Sequence, residues 1–143
     1  MSFTYTVCPH CQKVNKVHVE TADQKTPTCG VCHASLNLHE GISNLSGEQV
    51  QKLIRSSPLP VVIDFWAPWC GPCRNFAPTF SATAEEMKGR FVFVKINTEE
   101  FPQAGAQFGV RGIPTIAVFK QGQEMKRQAG AMPREYFNHW LQG

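Results

Sequence analysis

The sequence predicts an α/β protein in which a mixed central sheet is flanked by helices, with a small cysteine-rich unit ahead of it. Three observations carry this. Val61-Val62-Ile63-Asp64-Phe65-Trp66 is apolar on both alternating faces, the pattern of a strand buried on both sides of a sheet. From about residue 41 onward, strand and helix patterns alternate, as in sheets whose strands are joined by helices. In the first forty residues, four of the six cysteines fall into two Cys-x-x-Cys pairs.

The 143 residues are enough for one ordinary domain with a small appendage, and 42% apolar residues suffice for a packed core. A net charge of +3 is mild and does not argue for nucleic acid. The longest apolar run, around Val61 to Trp69, contains Asp64 and is too short to span a membrane. No basic segment followed by an apolar one opens the chain, so no signal peptide is expected. A cytoplasmic setting, where thiols stay reduced, follows as the expectation. The expected state is a monomer.

Within residues 1–40, Cys8-Pro9-His10-Cys11 is separated by seventeen residues from Cys29-Gly30-Val31-Cys32. Spacing of this kind reads as a zinc site, since two short knuckles can present four thiolates tetrahedrally to one Zn²⁺. Val14 to Val19 alternates with period 2, as in a hairpin strand, and the polar stretch Thr21 to Thr28 reads as a loop. Forty residues with few large apolar side chains cannot bury enough surface to fold alone, and metal binding supplies the missing free energy. A zinc ribbon is therefore favoured over a pair of disulfides. Cys8, Cys11, Cys29 and Cys32 complete the coordination, leaving His10, His18, His33 and His39 as surface or supporting residues.

The composition changes near His39 to Gly41, dividing the chain into 1–40 and 41–143. Ile42 to Leu45 is a short edge-strand candidate. Ser46-Gly47-Glu48-Gln49 is a capping box opening a helix with Val50, Leu53 and Ile54 on one face. Ser56 to Pro60 ends it, and the central strand follows. The spacing of Phe76, Phe80, Ala84 and Met87 predicts a helix over 74–87, kinked at Pro78 and stopped by Gly89. Phe91 to Asn97 is a strand whose one charge is Lys95. Pro102 to Phe108 is a short helix closed by Gly109. Ile116 to Phe119 is a strand, with Gln121-Gly122 turning it into a partner over Gln123 to Ala129. Gly130 breaks that partner, and Pro133 opens a last helix with Phe137, Trp140 and Leu141 inward.

Cys70 and Cys73 sit where the buried strand gives way to a helix. A helix N-terminus carries unpaired N–H groups and the positive end of the macrodipole, which favour a thiolate. A free thiol with a pKa near 8.5 is only about 3% ionised at pH 7. Lowering that pKa by roughly 1.5 units makes about half of it thiolate, for about 2 kcal/mol of differential stabilisation. Cys70 comes first and is assigned the attacking role, with Cys73 one turn away and within disulfide reach. Pro72 stiffens the first turn at little cost in hydrogen bonding. A bare Cys-x-x-Cys is equally a metal knuckle or a structural disulfide. A strand before it and a helix after it favour redox chemistry. Asp64, the one charge of its strand, has its pKa raised by burial, offset by Lys95. Taken alone it reads equally as half of a buried ion pair that fixes packing.

Phe65-Trp66-Ala67-Pro68-Trp69-Cys70-Gly71-Pro72-Cys73 resembles the active site of thioredoxins, and the element order over about residues 41–143 is similar to that family's. With a zinc ribbon attached, nearly the whole chain resembles the bacterial thioredoxin 2 subgroup. The resemblance implies a thioredoxin fold and a protein-disulfide reductase that cycles through a redox-active Cys70–Cys73 disulfide. It makes Asp64 the buried acid/base that handles the proton of Cys73, with Lys95 beside it. It implies a cis Ile113–Pro114 bond lying against the cysteines. Trp69, Gly71, Pro72, Ile113, Gly130 and Ala131 would then form a shallow apolar docking surface, with Trp66 packed beneath. The implied partners are disulfide-containing proteins and an NADPH-dependent thioredoxin reductase.

Two features depart from the family's commonest pattern. Pro68 stands where many members carry a charge, and Asn97 and Glu99 are unusual after the Lys95 strand. Cys8-Pro9-His10-Cys11 also resembles the active site of strongly oxidising disulfide-forming proteins, but no buried strand precedes it and no helix pattern follows. Readings from other classes are a zinc-dependent adaptor whose second domain mainly docks partners, and a metal site switched by oxidation.

Overall fold

The computed structural model describes residues 2–22 and 26–143. The chain opens with β1 (Phe3–Val7) and β2 (Val14–His18), paired antiparallel from Phe3↔His18 to Val7↔Val14. A short α1 (Val19–Ala22) follows, taking the start of the stretch expected to be a loop. Residues 23–25 of that stretch lie outside the described residues. Neither β1 nor α1 was legible as a strand or helix. In β1 the inward residues are Thr4 and Thr6 rather than apolar ones, so the alternation is inverted.

The remaining chain forms β3 (Leu38–His39), β4 (Ile42–Asn44), α2 (Gly47–Ser56), β5 (Val61–Trp66) and α3 (Gly71–Glu86). After these come β6 (Val92–Asn97), α4 (Gln103–Gln107), β7 (Thr115–Lys120), β8 (Gln123–Ala129) and α5 (Arg134–Gln142). From β4 onward the order is the one expected. The sheet runs β3-β4-β6-β5-β7-β8, with β4, β6 and β5 parallel and the other pairings antiparallel. The expected edge strand β4 is therefore not outermost, because Leu38 and His39 pair outside it. A turn with positive φ at Glu40 (53°) and Gly41 (76°) folds β3 back onto it.

Local chemistry explains the element ends. Ser46 Oγ accepts from Gln49 N (3.2 Å) and Gln49 Oε1 accepts from Ser46 N (2.9 Å), closing the capping box. Gln121 and Gly122 both have positive φ, 53° and 82°, which matches the twist of a two-residue hairpin between β7 and β8. Helix α3 begins at Gly71 with Cys70 as its N-cap and Pro72 in the first turn, as the placement of the dithiol at a helix start implies, three residues ahead of the helix read from apolar spacing alone. It runs unbroken from Gly71 to Glu86 through Pro78.

Two apolar layers hold the sheet. One face packs Val61, Ile63 and Phe65 of β5 against Val50, Leu53 and Ile54 of α2 and Ala104 of α4. The other packs Val62 and Phe93 against Phe76 and Phe80 of α3 and Phe137 and Leu141 of α5. Rings of Phe80 and Phe93 meet edge to face at 5.6 Å. Each fully buried phenylalanine stabilises the fold by about 1.5–3 kcal/mol.

The cysteine-rich unit shares this core. Val7, with no exposed surface, belongs to the same cluster as Leu45, Val50 and Val94. Thr6 Oγ1 accepts a buried 2.7 Å hydrogen bond from Ser43 Oγ of β4. Gln49 Nε2 donates to Gln12 Oε1 (3.2 Å), and Lys52 Nζ donates to the Gln12 carbonyl.

Candidate functional site

Strand β5 delivers the first site. Behind it, Cys70 N donates to the Ala67 carbonyl (3.2 Å), turning the chain, and Arg74 N donates to the Cys70 carbonyl (3.1 Å) as α3 starts. Cys70 is the N-cap residue, with φ −83° and ψ 114°, and its Sγ accepts from the Cys73 N–H at 3.2 Å. A sulfur thus occupies the place where a serine or aspartate oxygen usually caps a helix. Its partner is Cys73 Sγ: the two form a disulfide with Cα atoms 5.2 Å apart. Cys70 is 5% and Cys73 2% exposed, whereas Trp69 beside them is 67% exposed.

The Ile113–Pro114 bond is cis, and the loop carrying it comes from the start of β7. The Ile113 carbonyl oxygen lies 3.8 Å from Cys70 Sγ. Ile113 and Trp66 pack against the cluster of Ala67, Cys70 and Cys73. Pro114 is buried and its carbonyl accepts from Gly130 N (2.8 Å), which draws the exposed Gly130 and Ala131 to the same loop. Gly130 has φ +96°, a conformation glycine adopts without strain. Gly71 is half-buried and Pro72 exposed on the rim.

Asp64 is fully buried, and neither carboxylate oxygen has a hydrogen-bond partner among the described residues. Desolvation pushes its pKa up to about 7, against the opposing pull of the Lys95 charge. Lys95 is its neighbour in parallel register on β6, but holds its Nζ over the Trp66 ring, 4.7 Å from the centroid. The two do not form a direct ion pair. Period-2 alternation puts Asp64, Trp66 and Lys95 on the face covered by α3, the helix that carries Cys73.

Two contacts around the dithiol were not legible in the sequence. Arg74 Nη1 reaches back to the Pro68 carbonyl at 2.9 Å, tying the loop before Cys70 to α3. Thr98 donates through both N (2.8 Å) and Oγ1 (3.0 Å) to the Trp66 carbonyl, anchoring the end of β5. Both end on carbonyls, which leave no trace in residue identity.

The second site gathers Cys8, Cys11, Cys29 and Cys32, whose sulfurs all lie within 4.8 Å of one another. None is disulfide-bonded. Sγ atoms of Cys8 and Cys32, and of Cys11 and Cys29, are 3.6 Å apart. Tetrahedral Zn–S bonds of about 2.3 Å place sulfurs about 3.8 Å apart, so the cluster fits that ion. Backbone donors face the sulfurs: His10 N and Cys11 N donate to Cys8 Sγ (3.4 and 3.5 Å), and Val31 N to Cys29 Sγ (3.4 Å). Asn15 Nδ2 also donates to Cys29 Sγ (3.5 Å). The Cys32 backbone N–H, then Asn15 and Val31, lower the Cys29 pKa to about 5, and the Cys11 backbone N–H lowers that of Cys8. Both knuckles end alike, with Gln12 and His33 at φ 67° and 65° after the second cysteine. His10 and His33 are exposed and stand outside the sulfur cluster. No helix follows Cys11, so the resemblance to an oxidising active site ends with its four residues.

No helix among the described residues is long and apolar enough to cross a membrane. The thioredoxin family model matches residues 41–143. Thioredoxin C-3 of Corynebacterium nephridii is 39% identical over 135 residues, covering 94% of this chain and 91% of its own. That alignment is longer than residues 41–143 and so reaches into the cysteine-rich unit. Thioredoxin 1 of Chlorobaculum tepidum is 50% identical over 86 residues, 60% of this chain and 85% of its own. The chloroplastic thioredoxin M4 of Arabidopsis thaliana is 43% identical over 94 residues, 66% of this chain, and the match spans about half (49%) of that relative's length. With the dithiol at the mouth of α3, the cis-proline loop against it and these matches, the chain belongs to the thioredoxin family.

Proposed function

We propose that this thioredoxin is a cytoplasmic protein-disulfide reductase, built from a zinc ribbon (1–40) and a thioredoxin domain (41–143). The observation that supports it best is the Cys70–Cys73 disulfide with Cys70 Sγ capping α3. In the reduced protein, the same N–H and helix terminus stabilise the Cys70 thiolate. That thiolate attacks one sulfur of a substrate disulfide, forming a mixed disulfide and releasing the other sulfur as a thiolate. Cys73 then loses its proton to Asp64 and attacks Cys70 Sγ. This releases the substrate's second sulfur and closes the Cys70–Cys73 bond, so two electrons have passed to the substrate. A carboxyl with a pKa of about 7 is suited to that proton transfer near neutral pH.

Trp69, Gly71, Pro72, Gly130 and Ala131 form the shallow surface on which the substrate rests. Ile113 offers its backbone to an extended substrate segment beside Cys70, and Pro114 holds that loop against the dithiol. Lys95 tempers the rise in the Asp64 pKa, and Trp66 supports the floor. An NADPH-dependent thioredoxin reductase regenerates the dithiol. Cys8, Cys11, Cys29 and Cys32 hold one Zn²⁺, which supplies folding free energy to the ribbon. An adaptor role is disfavoured by the intact dithiol.

Reduction of insulin disulfides by the purified protein tests this reading. Turnover should vanish in Cys70→Ser; activity that survives the substitution would reject the mechanism. Zinc content and thiol count on one sample test the metal assignment. One zinc per chain, with two titratable thiols beyond its ligands after reduction, is the expected result.

A further inference from the structure

At the end of the sheet opposite the dithiol lies a cleft that disulfide exchange does not use. The Cys70–Cys73 loop follows the C-terminal end of β5, whereas residues 88–91 precede β6, which runs parallel to it. There the α3–β6 connection meets the β1–β2 hairpin around an open cleft of about 400 Å³, within the range of small-molecule sites. Phe3, Tyr5 and Leu59 supply its apolar lining, and Lys16, Lys88 and Arg90 its charges. Among the described residues, no carboxylate lines it.

Its shape is fixed by close packing between the two units. Gly89, at φ +84°, lets Ser2 approach so closely that a Cβ would stand 2.9 Å from Ser2 Oγ and 3.0 Å from Ser2 Cβ. The cations are unevenly neutralised. Lys88 pairs with Glu85 at 2.8 Å, and Glu20 Oε1 accepts from Ser2 N at 2.8 Å. Neither Lys16 nor Arg90 has a carboxylate within ion-pair distance among the described residues. Lys16 Nζ instead lies over the Phe3 ring, 4.3 Å from its centroid. Like charges brought together from two units of the fold repel one another, and an anion between them removes that repulsion. A phosphate group concentrates two or more negative charges and several acceptors in one small volume, which suits the two cations, Lys16 and Arg90, that have no carboxylate partner beside the cleft. The half-buried rings of Phe3 and Tyr5 beside those cations offer stacking to a planar group attached to it.

The geometry points to a nucleoside phosphate site between the β1–β2 hairpin and the α3–β6 connection, with Lys16 and Arg90 on the phosphates and Phe3 and Tyr5 against the base. This site is independent of the disulfide chemistry at the other end of the sheet. The test is titration of the zinc-loaded 143-residue chain with ADP, adenosine and inorganic pyrophosphate, read by amide chemical shifts and calorimetry. ADP should shift Phe3, Tyr5, Lys16 and Arg90 saturably, and bind at least tenfold more tightly than adenosine or pyrophosphate. Raised salt should weaken binding. Lys16→Ala with Arg90→Ala should weaken ADP binding at least tenfold while leaving insulin reduction unchanged. Lys16→Arg with Arg90→Lys should keep binding, which separates lost charge from lost folding. The assignment is overturned by the absence of saturable shifts at millimolar ADP, by shifts confined to the Cys8–Cys32 region, or by unaltered binding in the double alanine variant. Pyrophosphate binding as tight as ADP overturns the role given to the rings.

Discussion

Replacing Asp64 with asparagine should change how stability depends on pH, and the size of the change follows from the site. The carboxyl titrates near 3.8 when unperturbed and at about 7 in the folded protein, where burial with no hydrogen-bond partner penalises its charge. Below pH 3.8 both folded and unfolded chains hold the proton. Between 3.8 and 7 the folded chain keeps it while the unfolded chain releases it, so stability falls as pH rises. About three pH units at roughly 1.4 kcal/mol each give a loss of about 4 kcal/mol, complete above pH 7. Asp64→Asn has no such titration. Urea unfolding of the oxidised forms at a series of pH values from 4 to 8.5 should show the variant gaining on the wild type through this window. The gain should level off above pH 7. Any fixed cost of burying the asparagine amide shifts the variant's curve as a whole and leaves the slope difference intact. Parallel curves for the two proteins would refute the burial argument, and with it the proton-acceptor role.

Cys73→Ser should leave the first exchange intact and trap the mixed disulfide on Cys70, seen as a stable adduct by intact-mass measurement; a variant that turns over normally would exclude Cys73 as the resolving thiol. Asp64→Asn should slow resolution of that mixed disulfide at pH 7 by on the order of 100-fold, measured in single turnover. Removing zinc with a chelator should lower the melting temperature of the whole chain in one transition, because Val7 lies in the core cluster of the sheet; two separate transitions would show that the units unfold independently. Val7→Ala should cost about 2 kcal/mol in urea unfolding, as expected for truncating a side chain with no exposed surface.

Much of the fold could be read because local signals agreed with tertiary structure. Val61 to Phe65 is apolar on both faces apart from Asp64 and is fully buried, and Ser46 with Gln49 announces a cap that forms as expected. The dithiol and the sulfur cluster were legible for the same reason, since spacing in sequence is close to spacing in space for Cys-x-x-Cys. What stayed hidden depends on distant partners. Strand β1 buries Thr4 and Thr6, and Thr6 is satisfied only because Ser43 meets it across the two units. Strand β3 is two residues long and exists as a strand only through Ile42 and Ser43. The apolar spacing of α3 shows the helix only from Arg74, and its first turn is readable from Pro72 and the cysteines, whereas the sulfur's part as its cap is a role that residue statistics assign to oxygen. The cis bond before Pro114 was reached through family resemblance alone.

The pairing of Leu38 and His39 with β4 bears on how the protein can be trimmed. Cutting at residue 41, where the family match begins, would strip β4 of its outer neighbour and Leu45 and Val50 of Val7. The shortened chain would present a bare ladder of amides and carbonyls along Ile42 to Asn44, a template onto which a second molecule can add. Cysteine-rich and catalytic halves are joined by more than covalent bonds: the first forty residues also cap an otherwise adhesive rim.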